Sequence, residues 1–363
     1  MKIITVIGAR PQFIKAAAVS RHLRNSVTEL YIHTGQHYDE NMSDIFFREM
    51  SIPQPNYNLG VGGGPHGWMT GKMLTGIENV CLEEKPDSLM VYGDTDSTLA
   101  GALAAAKLHI PVIHVEAGLR SFNRSMPEEI NRVLTDHIST LLFCSSQTAI
   151  NNLNAEGINK KVYMVGDVMM DSLAYYTPLA IRNSNILDQL RLKEKDFILL
   201  TLHRAENVDE PRRLTKILSA LLTTEKNIVF PIHPRTRKQL VDIDVVEKIQ
   251  KNSKIQVIDP VGYFDMILLE KFASIIMTDS GGVQKEAYWF QVPCLTLRDE
   301  TEWTETVDAG WNQLVRINKQ EIIDAVENVK FPLIHPPLYG KGKAGVFISE
   351  RLVDLNNADN IRF

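Results

Sequence analysis

From Met277 to Glu286 the chain reads Met-Thr-Asp-Ser-Gly-Gly-Val-Gln-Lys-Glu, a short apolar run that stops at two glycines and turns at once into a helical pattern. Gly281 and Gly282 let the backbone approach a ligand closely, and the first N–H groups after Ser280 are free to bind a phosphate or diphosphate. Glu286, one turn further on, is placed to accept hydrogen bonds from sugar hydroxyls. Cations stand at other strand ends. Gly8-Ala-Arg-Pro-Gln-Phe-Ile-Lys15 sets Arg10 and Lys15 after the first apolar strand, with Pro11 suited to the first turn of a helix. It is not a Walker loop, which needs a second glycine followed by Lys and Ser or Thr. Thr201-Leu-His-Arg-Ala-Glu-Asn207 offers His203 and Arg204 as donors to a diphosphate, and His233-Pro-Arg235 repeats the pair after the next strand. Taken singly, each motif is also explained by an ordinary strand-to-helix turn or a solvated basic pair.

Carboxylates follow strands in the other half. In Tyr92-Gly-Asp-Thr-Asp-Ser97, Asp94 stands at a strand end, and either Asp94 or Asp96 would equally serve as a helix cap. His114-Val-Glu-Ala-Gly-Leu-Arg120 places Glu116 among buried neighbours, where an unpaired carboxylate is costly. Glu128 and Glu129 come directly after Pro127, at a helix start where acidic residues suit the dipole. Capping accounts readily for Glu129 and less well for Glu128. Asp94, Glu116 and Glu128 form a candidate acid–base set. Gly62-Gly-Gly-Pro-His-Gly67 matches the dinucleotide fingerprint in letters only. No strand precedes it, Pro65 interrupts it, and no strand with an acidic residue at its end follows at the proper distance, so a flexible loop or lid is expected.

Parallel sheets would position these residues. Apolar runs such as Ile3 to Ile7, Ser88 to Tyr92, Val112 to Val115, Phe197 to Thr201 and Ser274 to Met277 alternate with helical stretches, among them Ser97 to Leu108 and Asp209 to Thr224. Such alternation means βαβ units, with ligands beyond the carboxyl ends of the strands. At 363 residues the chain exceeds one comfortable core, so two doubly wound α/β domains facing each other across a cleft are expected. Their bounds are read as 1–172 and 173–345, with 346–363 a helix packing back on the first domain. Hydrophobic content of 44% and charged content of 23% are those of a soluble globular protein. A net charge of −5 without a basic stripe argues against nucleic acid. Cys81, Cys144 and Cys294 lack metal-ligand spacing, so buried thiols in a reducing compartment are expected and no metal. No segment approaches the roughly 20 apolar residues of a membrane span, and the N-terminal apolar run is too short for a signal peptide. A cytoplasmic location follows as the expectation.

Together, Gly8-x-Arg-Pro-x-x-x-Lys15, Gly93-Asp-Thr95, Val115-Glu-Ala-Gly-Leu-Arg120, Pro127-Glu-Glu129, His203-Arg204 and Asp279-Ser-Gly-Gly-x-Gln284 resemble the non-hydrolysing UDP-N-acetylglucosamine 2-epimerases, in order and over nearly the whole chain. The resemblance implies a GT-B fold of two Rossmann-like domains, a homodimer, and a cofactor-free inversion at C2 of a UDP-linked 2-acetamido sugar. In that route the C2 proton is removed as UDP leaves C1, giving a 2-acetamidoglucal, and UDP adds back after a proton reaches the opposite face. By position, Arg10, His203, Ser280 and Gly281 resemble the diphosphate clamp, with Lys15 at the sugar-phosphate side and Arg204 and Gly282 adjoining. Glu286 resembles the residue holding the ribose, and the backbone from Pro260 to Tyr263 the uracil site. Asp94, Glu116 and Glu128, with His203, resemble the catalytic set; base and acid are not distinguished. Arg120 and Arg298 are further candidates for substrate contact.

One stretch departs from the common pattern. Arg298-Asp-Glu-Thr-Glu-Trp-Thr-Glu305 carries Trp303 in place of the usual arginine and Thr304 in place of proline, and Lys285 replaces an acidic neighbour of Glu286. With Ala309-Gly-Trp311, this version resembles a subgroup acting on UDP-2,3-diacetamido-2,3-dideoxyglucuronate, an intermediate of bacterial surface polysaccharides such as lipopolysaccharide or capsule. Arg124 is then a candidate partner for the extra carboxylate, or else merely neutralises Glu128 or Glu129. Many relatives bind an activating substrate near a Gln-His pair; Gln36-His37 is present, but Tyr38 to Asn41 depart from the common form. UDP-N-acetylglucosamine itself is the alternative substrate. A GT-B glycosyltransferase, a hydrolysing relative and a non-catalytic sugar-nucleotide sensor are the other classes, and the joint presence of the three carboxylates speaks against the first and last.

Overall fold

Runs of Ile, Val and Leu four to six residues long, too short for helices, become parallel strands covered on both faces. The computed structural model describes residues 1–36, 53–240, 245–330 and 332–357. Two units are present, Met1–Tyr176 with Tyr339–Phe363, and Thr177–Leu338.

In unit 1 the chain runs β1 (Lys2–Ile7), α1 (Arg10–Leu23), β2 (Thr28–His33), β3 (Tyr57–Asn58), α2 (His66–Glu84), β4 (Ser88–Tyr92) and α3 (Asp96–Lys107). It continues β5 (Val112–Ala117), α4 (Pro127–Ile138), β6 (Leu141–Cys144), α5 (Gln147–Ala155) and β7 (Val162–Met164). The sheet order is β3-β2-β1-β4-β5-β6-β7, every pairing parallel. Strand order therefore reverses between β1 and β4, the switch point at which doubly wound sheets bind ligands. β4 and β5 are buried along their whole length, the pattern of strands packed on both faces.

The boundary between units falls inside α6 (Val168–Asn183). Unit 2 contains α7 (Ile186–Gln189), β8 (Phe197–Thr201), α8 (Ala205–Val208), α9 (Pro211–Leu221), β9 (Asn227–Pro231), α10 (Pro234–Leu240), α11 (Val245–Lys251) and β10 (Ile255–Ile258). Then follow α12 (Tyr263–Phe272), β11 (Ile275–Thr278), α13 (Gly281–Trp289), β12 (Cys294–Thr296), α14 (Thr304–Asp308), β13 (Asn312–Leu314) and α15 (Lys319–Glu327). Its parallel sheet has the order β10-β9-β8-β11-β12-β13, so the reversal lies between β8 and β11. The last helix, α16 (Ala344–Asn357), belongs to unit 1 and packs on α1.

Each unit has its own apolar core. Cys81, Cys144 and Cys294 are buried free thiols, and among the described residues no helix is long and apolar enough to cross a membrane. The expected flexible stretch Gly62 to Gly67 is shorter than its letters imply. Pro65 takes the N-cap position, its fixed φ suiting helix entry, so His66 and Gly67 already belong to α2.

Candidate active site

In unit 1 the residues beyond β1, β4 and β5 converge. Tyr92 pairs with Val115 in register, so Gly93, just past β4, lies beside Glu116 near the end of β5. Gly93 sits at φ 65, and a side chain there would meet Glu116 Oε2 and Lys15 Nζ, each at 3.1 Å from the added carbon. Glycine is thus required twice, for the turn and for the approach. Glu116 itself is at φ 71 within an irregularity of the β5–β6 pairing. A left-handed glutamate is strained, and such strain persists where the surroundings over-determine it. Here the determinant is Lys15, whose ammonium forms a buried ion pair with Glu116 Oε2. Lys15 is therefore the counter-charge of Glu116.

Asp94, with its side chain 29% exposed, pairs with Arg132 Nη2. Asn131 Nδ2 donates to the Asp94 carbonyl at 3.0 Å. Neither Asp94 nor Asp96 is the cap of α3. That role falls to Thr95, whose hydroxyl accepts the Thr98 N–H, while Asp96 meets His66 Nδ1 at 2.8 Å. Glu129 does not cap its own helix either. It reaches back to accept Ser121 N and Phe122 N, both at 2.9 Å, and Arg132 Nη1 at 3.0 Å, fixing the loop before α4. Glu128 is partly exposed in the first turn of α4 and forms no ion pair among the described residues.

Arg120 corrects an expectation. Rather than reaching for a ligand it is 1% exposed and spends its donors inside the unit, on Glu156 through Nε and Nη2 and on Asp136 through Nη1, all at 2.7 Å. Burial alone would lower its pKa; the bonds to Glu156 and Asp136 outweigh that and hold it above the usual value. Arg124 is exposed at the edge of a hollow of about 340 Å³ shared with Phe122, His137 and Glu156, and pairs with neither Glu128 nor Glu129. Arg10 is the first residue of α1 and partly exposed. Its neighbour Gln12 escaped the sequence reading. Gln12 Oε1 accepts Gly8 N at 2.8 Å and Ala9 N at 3.0 Å, while Nε2 donates to Tyr92 O at 2.9 Å, locking the ends of β1 and β4 together. Of the Gln36-His37 pair, Gln36 accepts the Ser97 hydroxyl at 2.7 Å, and His37 lies outside the described residues.

In unit 2 the arrangement is built from backbone donors. Thr278 pairs with Thr201, and their hydroxyls are 2.6 Å apart, so the loops after β8 and β11 leave together. Asp279, fully buried, accepts His203 N at 3.1 Å, Arg204 N at 3.1 Å and Asn207 Nδ2 at 3.2 Å. One carboxylate thus fixes the whole His203–Arg204 turn. The His203 ring, 39% exposed, lies 5.6 Å from that of His233. Arg235, half of the expected second anion-binding pair, is instead engaged by Asp209, because the first turn of α10 and the residue that ends α8 are both exposed and within reach.

Ser280 takes the N-cap position of α13 with no side-chain cap bond, and Gly281 and Gly282 open the helix. A Cβ on Gly281 would meet Glu302 Oε1 at 2.4 Å and Trp303 Nε1 at 3.3 Å. Glu302 is held by Arg298 Nη1 at 3.0 Å, and Lys285 Nζ lies 4.0 Å from the Trp303 ring centroid. Arg298 is 1% exposed, yet its Nε and Nη2 have no hydrogen-bond partner among the described residues. Buried, charged and unsatisfied donors beside an open helix N-terminus suit an anionic group. Glu286 is buried one turn along, and Tyr263, also buried, opens α12. Among the described residues no cluster of three or more His, Cys, Asp or Glu side chains is arranged to hold a metal.

The family model described as UDP-N-acetylglucosamine 2-epimerase matches residues 21–353. A UDP-N-acetylglucosamine 2-epimerase homolog of Methanococcus maripaludis is 54% identical, over 98% of this chain and 100% of its own. The UDP-2,3-diacetamido-2,3-dideoxy-D-glucuronate 2-epimerase of Pseudomonas aeruginosa is 50% identical, over 98% and 100%. The crystal structure of Methanocaldococcus jannaschii UDP-GlcNAc 2-epimerase, in complex with UDP-GlcNAc and UDP, superposes with a TM-score of 0.90 at 48% identity, over 98% of this chain and 100% of that one.

Proposed function

The chain belongs to the UDP-N-acetylglucosamine 2-epimerase family, and from that premise we propose that it inverts C2 of a UDP-linked 2-acetamido sugar without a cofactor. C2 has no adjacent carbonyl, so its hydrogen is not acidic and simple deprotonation is implausible. The route that meets this is elimination. A carboxylate takes the C2 proton, the C–H electrons form the C1–C2 double bond, and the C1–O electrons leave with UDP. A proton then reaches the opposite face of C2, and UDP returns to C1. Such chemistry needs acid–base groups and a tight hold on the departing nucleotide.

Unit 1 supplies the first. Asp94, Glu116 and Glu128 carry the proton transfers, with Arg132 and Lys15 setting the charge balance of the first two. Unit 2 supplies the second, through Ser280, Gly281, Gly282, His203, Arg204 and Arg298, with Glu286 at the ribose and the Tyr263 backbone at the base. Arg10, at the start of α1, is a further proposed donor to the diphosphate. The observation that carries the reading is Glu116, held in a strained left-handed conformation against Lys15 at the switch point of a doubly wound sheet. Strain of that kind concentrates at reacting groups.

As substrate we favour UDP-2,3-diacetamido-2,3-dideoxyglucuronate, converted to its manno epimer for a bacterial surface polysaccharide. Support comes from the run Arg298 to Trp303, from the identity with the Pseudomonas protein, and from Arg124, exposed and unpaired among the described residues. The Methanocaldococcus enzyme is nearly as similar, which keeps UDP-N-acetylglucosamine as the second reading. We further propose a cytoplasmic homodimer; sedimentation as a monomer would remove the second part.

Proton NMR in D2O separates the substrates. Deuterium entering C2 with a new manno signal only for the diacetamidoglucuronate supports the favoured reading. Exchange only with UDP-N-acetylglucosamine returns the chain to the second. Release of free sugar with UDP indicates hydrolysis instead.

A further inference from the structure

Below the Gly93 turn runs a chain of charges that the proton transfers do not use. Glu156 binds Arg120, and Arg120 Nη1 binds Asp136 Oδ2 at 2.7 Å. Asp136 Oδ1 faces His114 Nδ1 at 2.7 Å, and His114 Nε2 faces the Gly93 carbonyl oxygen at 2.8 Å. Neither the His114 nor the Asp136 side chain has any exposed surface.

Counting donors fixes the protons. A carbonyl oxygen only accepts, so His114 Nε2 carries hydrogen. Asp136 Oδ2 accepts Arg120 Nη1 and, at 3.1 Å, Gly118 N, and the adjoining guanidinium favours the ionised carboxylate. His114 Nδ1 must then carry hydrogen as well. Two ring N–H groups make an imidazolium. Burial would raise the Asp136 pKa, but the His114 and Arg120 charges outweigh it and hold the carboxyl below its usual value. The four charges alternate and cancel.

Resting on the epimerase reading, we propose that His114 is a positioning residue for the reaction, held as a buried imidazolium by Asp136 so that it clamps the Gly93 carbonyl. Gly93 N already donates to Val115 O at 3.0 Å, so the clamp fixes both polar groups of the residue between Tyr92 and Asp94. Asp136 meanwhile holds His114, two residues before Glu116, and Gly118 N, two residues after it. The strained Glu116 is thus pinned from both sides, and Asp94 follows the clamped turn directly. An ionised donor makes a stronger, straighter bond than a neutral one, and a neutral ring would leave one of two buried acceptors unsatisfied.

Two measurements test this on the full chain. In ligand-free protein with 15N-labelled histidine, one residue should show both ring nitrogens protonated near neutral pH, and His114→Asn should abolish that signal. In C2-deuterium exchange, His114→Asn, which keeps a donor towards Asp136 only, should lower kcat about 100-fold with KM little changed, the scale of a 1 Å misplacement. His114→Gln retains an amide donor for the Gly93 carbonyl and should recover about tenfold of that loss. A singly protonated His114 ring in the wild type overturns the proposal, even if neither variant folds. So do equal kcat losses in both variants, or a rise in KM matching the fall in kcat. A wild-type protein that exchanges no UDP-sugar overturns the epimerase reading and the positioning role with it, and is recognisable because the imidazolium signal persists.

Discussion

The two units solve opposite problems with the same sheet order. Around the switch point of unit 1 the carboxylates Glu116, Asp94 and Glu129 meet cations of the same unit, Lys15 and Arg132. At the switch point of unit 2 α13 opens without a side-chain cap on Ser280, and two donors of Arg298 have no partner among the described residues. On the proposed function, Glu116 and Asp94 move protons while held by fixed charges, and Glu128 does so with none among the described residues. A surface that must grip an anion keeps donors unspent until it arrives, at the cost of leaving them unsatisfied before then.

The sharpest way to break this contrast is in unit 1. Glu128→Gln removes a carboxylate with no ion pair among the described residues, so C2 exchange should fall by roughly 100- to 10,000-fold, the range for general acid–base catalysis, with the thermal midpoint unchanged. Glu116→Gln should lose as much activity and also lower the midpoint, because Lys15 is left buried without its counter-charge. Equal midpoints for the two variants, read by scanning calorimetry, would refute the difference. Next comes Arg298→Lys, which keeps the charge but loses the fork. Titration calorimetry should show UDP binding weakened about 10- to 100-fold, the worth of a charged hydrogen bond, with kcat nearly untouched. Asp279→Asn should cost about tenfold in the same titration, by loosening the His203–Arg204 turn.

The smallest effect concerns acid. Asp136 has its folded pKa depressed, so the stability it adds is complete above the unfolded carboxylate value, about 3.9, and is lost as pH falls through the lower folded value. Urea unfolding at pH 6 should therefore separate Asp136→Asn from wild type, and the two curves should converge towards pH 2. A gap that stays constant with pH would refute the depressed value.

What the sequence carried was whatever is local. Strand ends, helix starts and the glycines between them are written in adjacent residues, so the Ser280–Gly282 turn and the position of Glu116 could be read directly. The charge partners could not. Asp136 lies 16 residues from Arg120 and 22 from His114, and Glu156 lies 36 from Arg120. Only the packing of α4 and α5 beside β5 brings them together. A cation near carboxylates reads as a ligand contact until its own partners are known, which is why the sequence suggests an outward Arg120 and the fold turns it inward. Gln12 is a subtler case, since a glutamine in the third position of a helix has no signature that separates a loop clasp from a solvated side chain.

Ser172 donates to Ile14 O at 2.7 Å, and Asp171 accepts Ala344 N at 3.0 Å and Gly345 N at 2.7 Å, so α6 joins α1 to the start of a helix that comes after all of unit 2. Ile348 and Leu352 are fully buried in that helix. During synthesis, unit 2 is therefore an uninterrupted segment able to finish as soon as it emerges, whereas unit 1, though begun first, stays incomplete until α16 is made. The ribosome delivers unit 1 first and the fold completes it last.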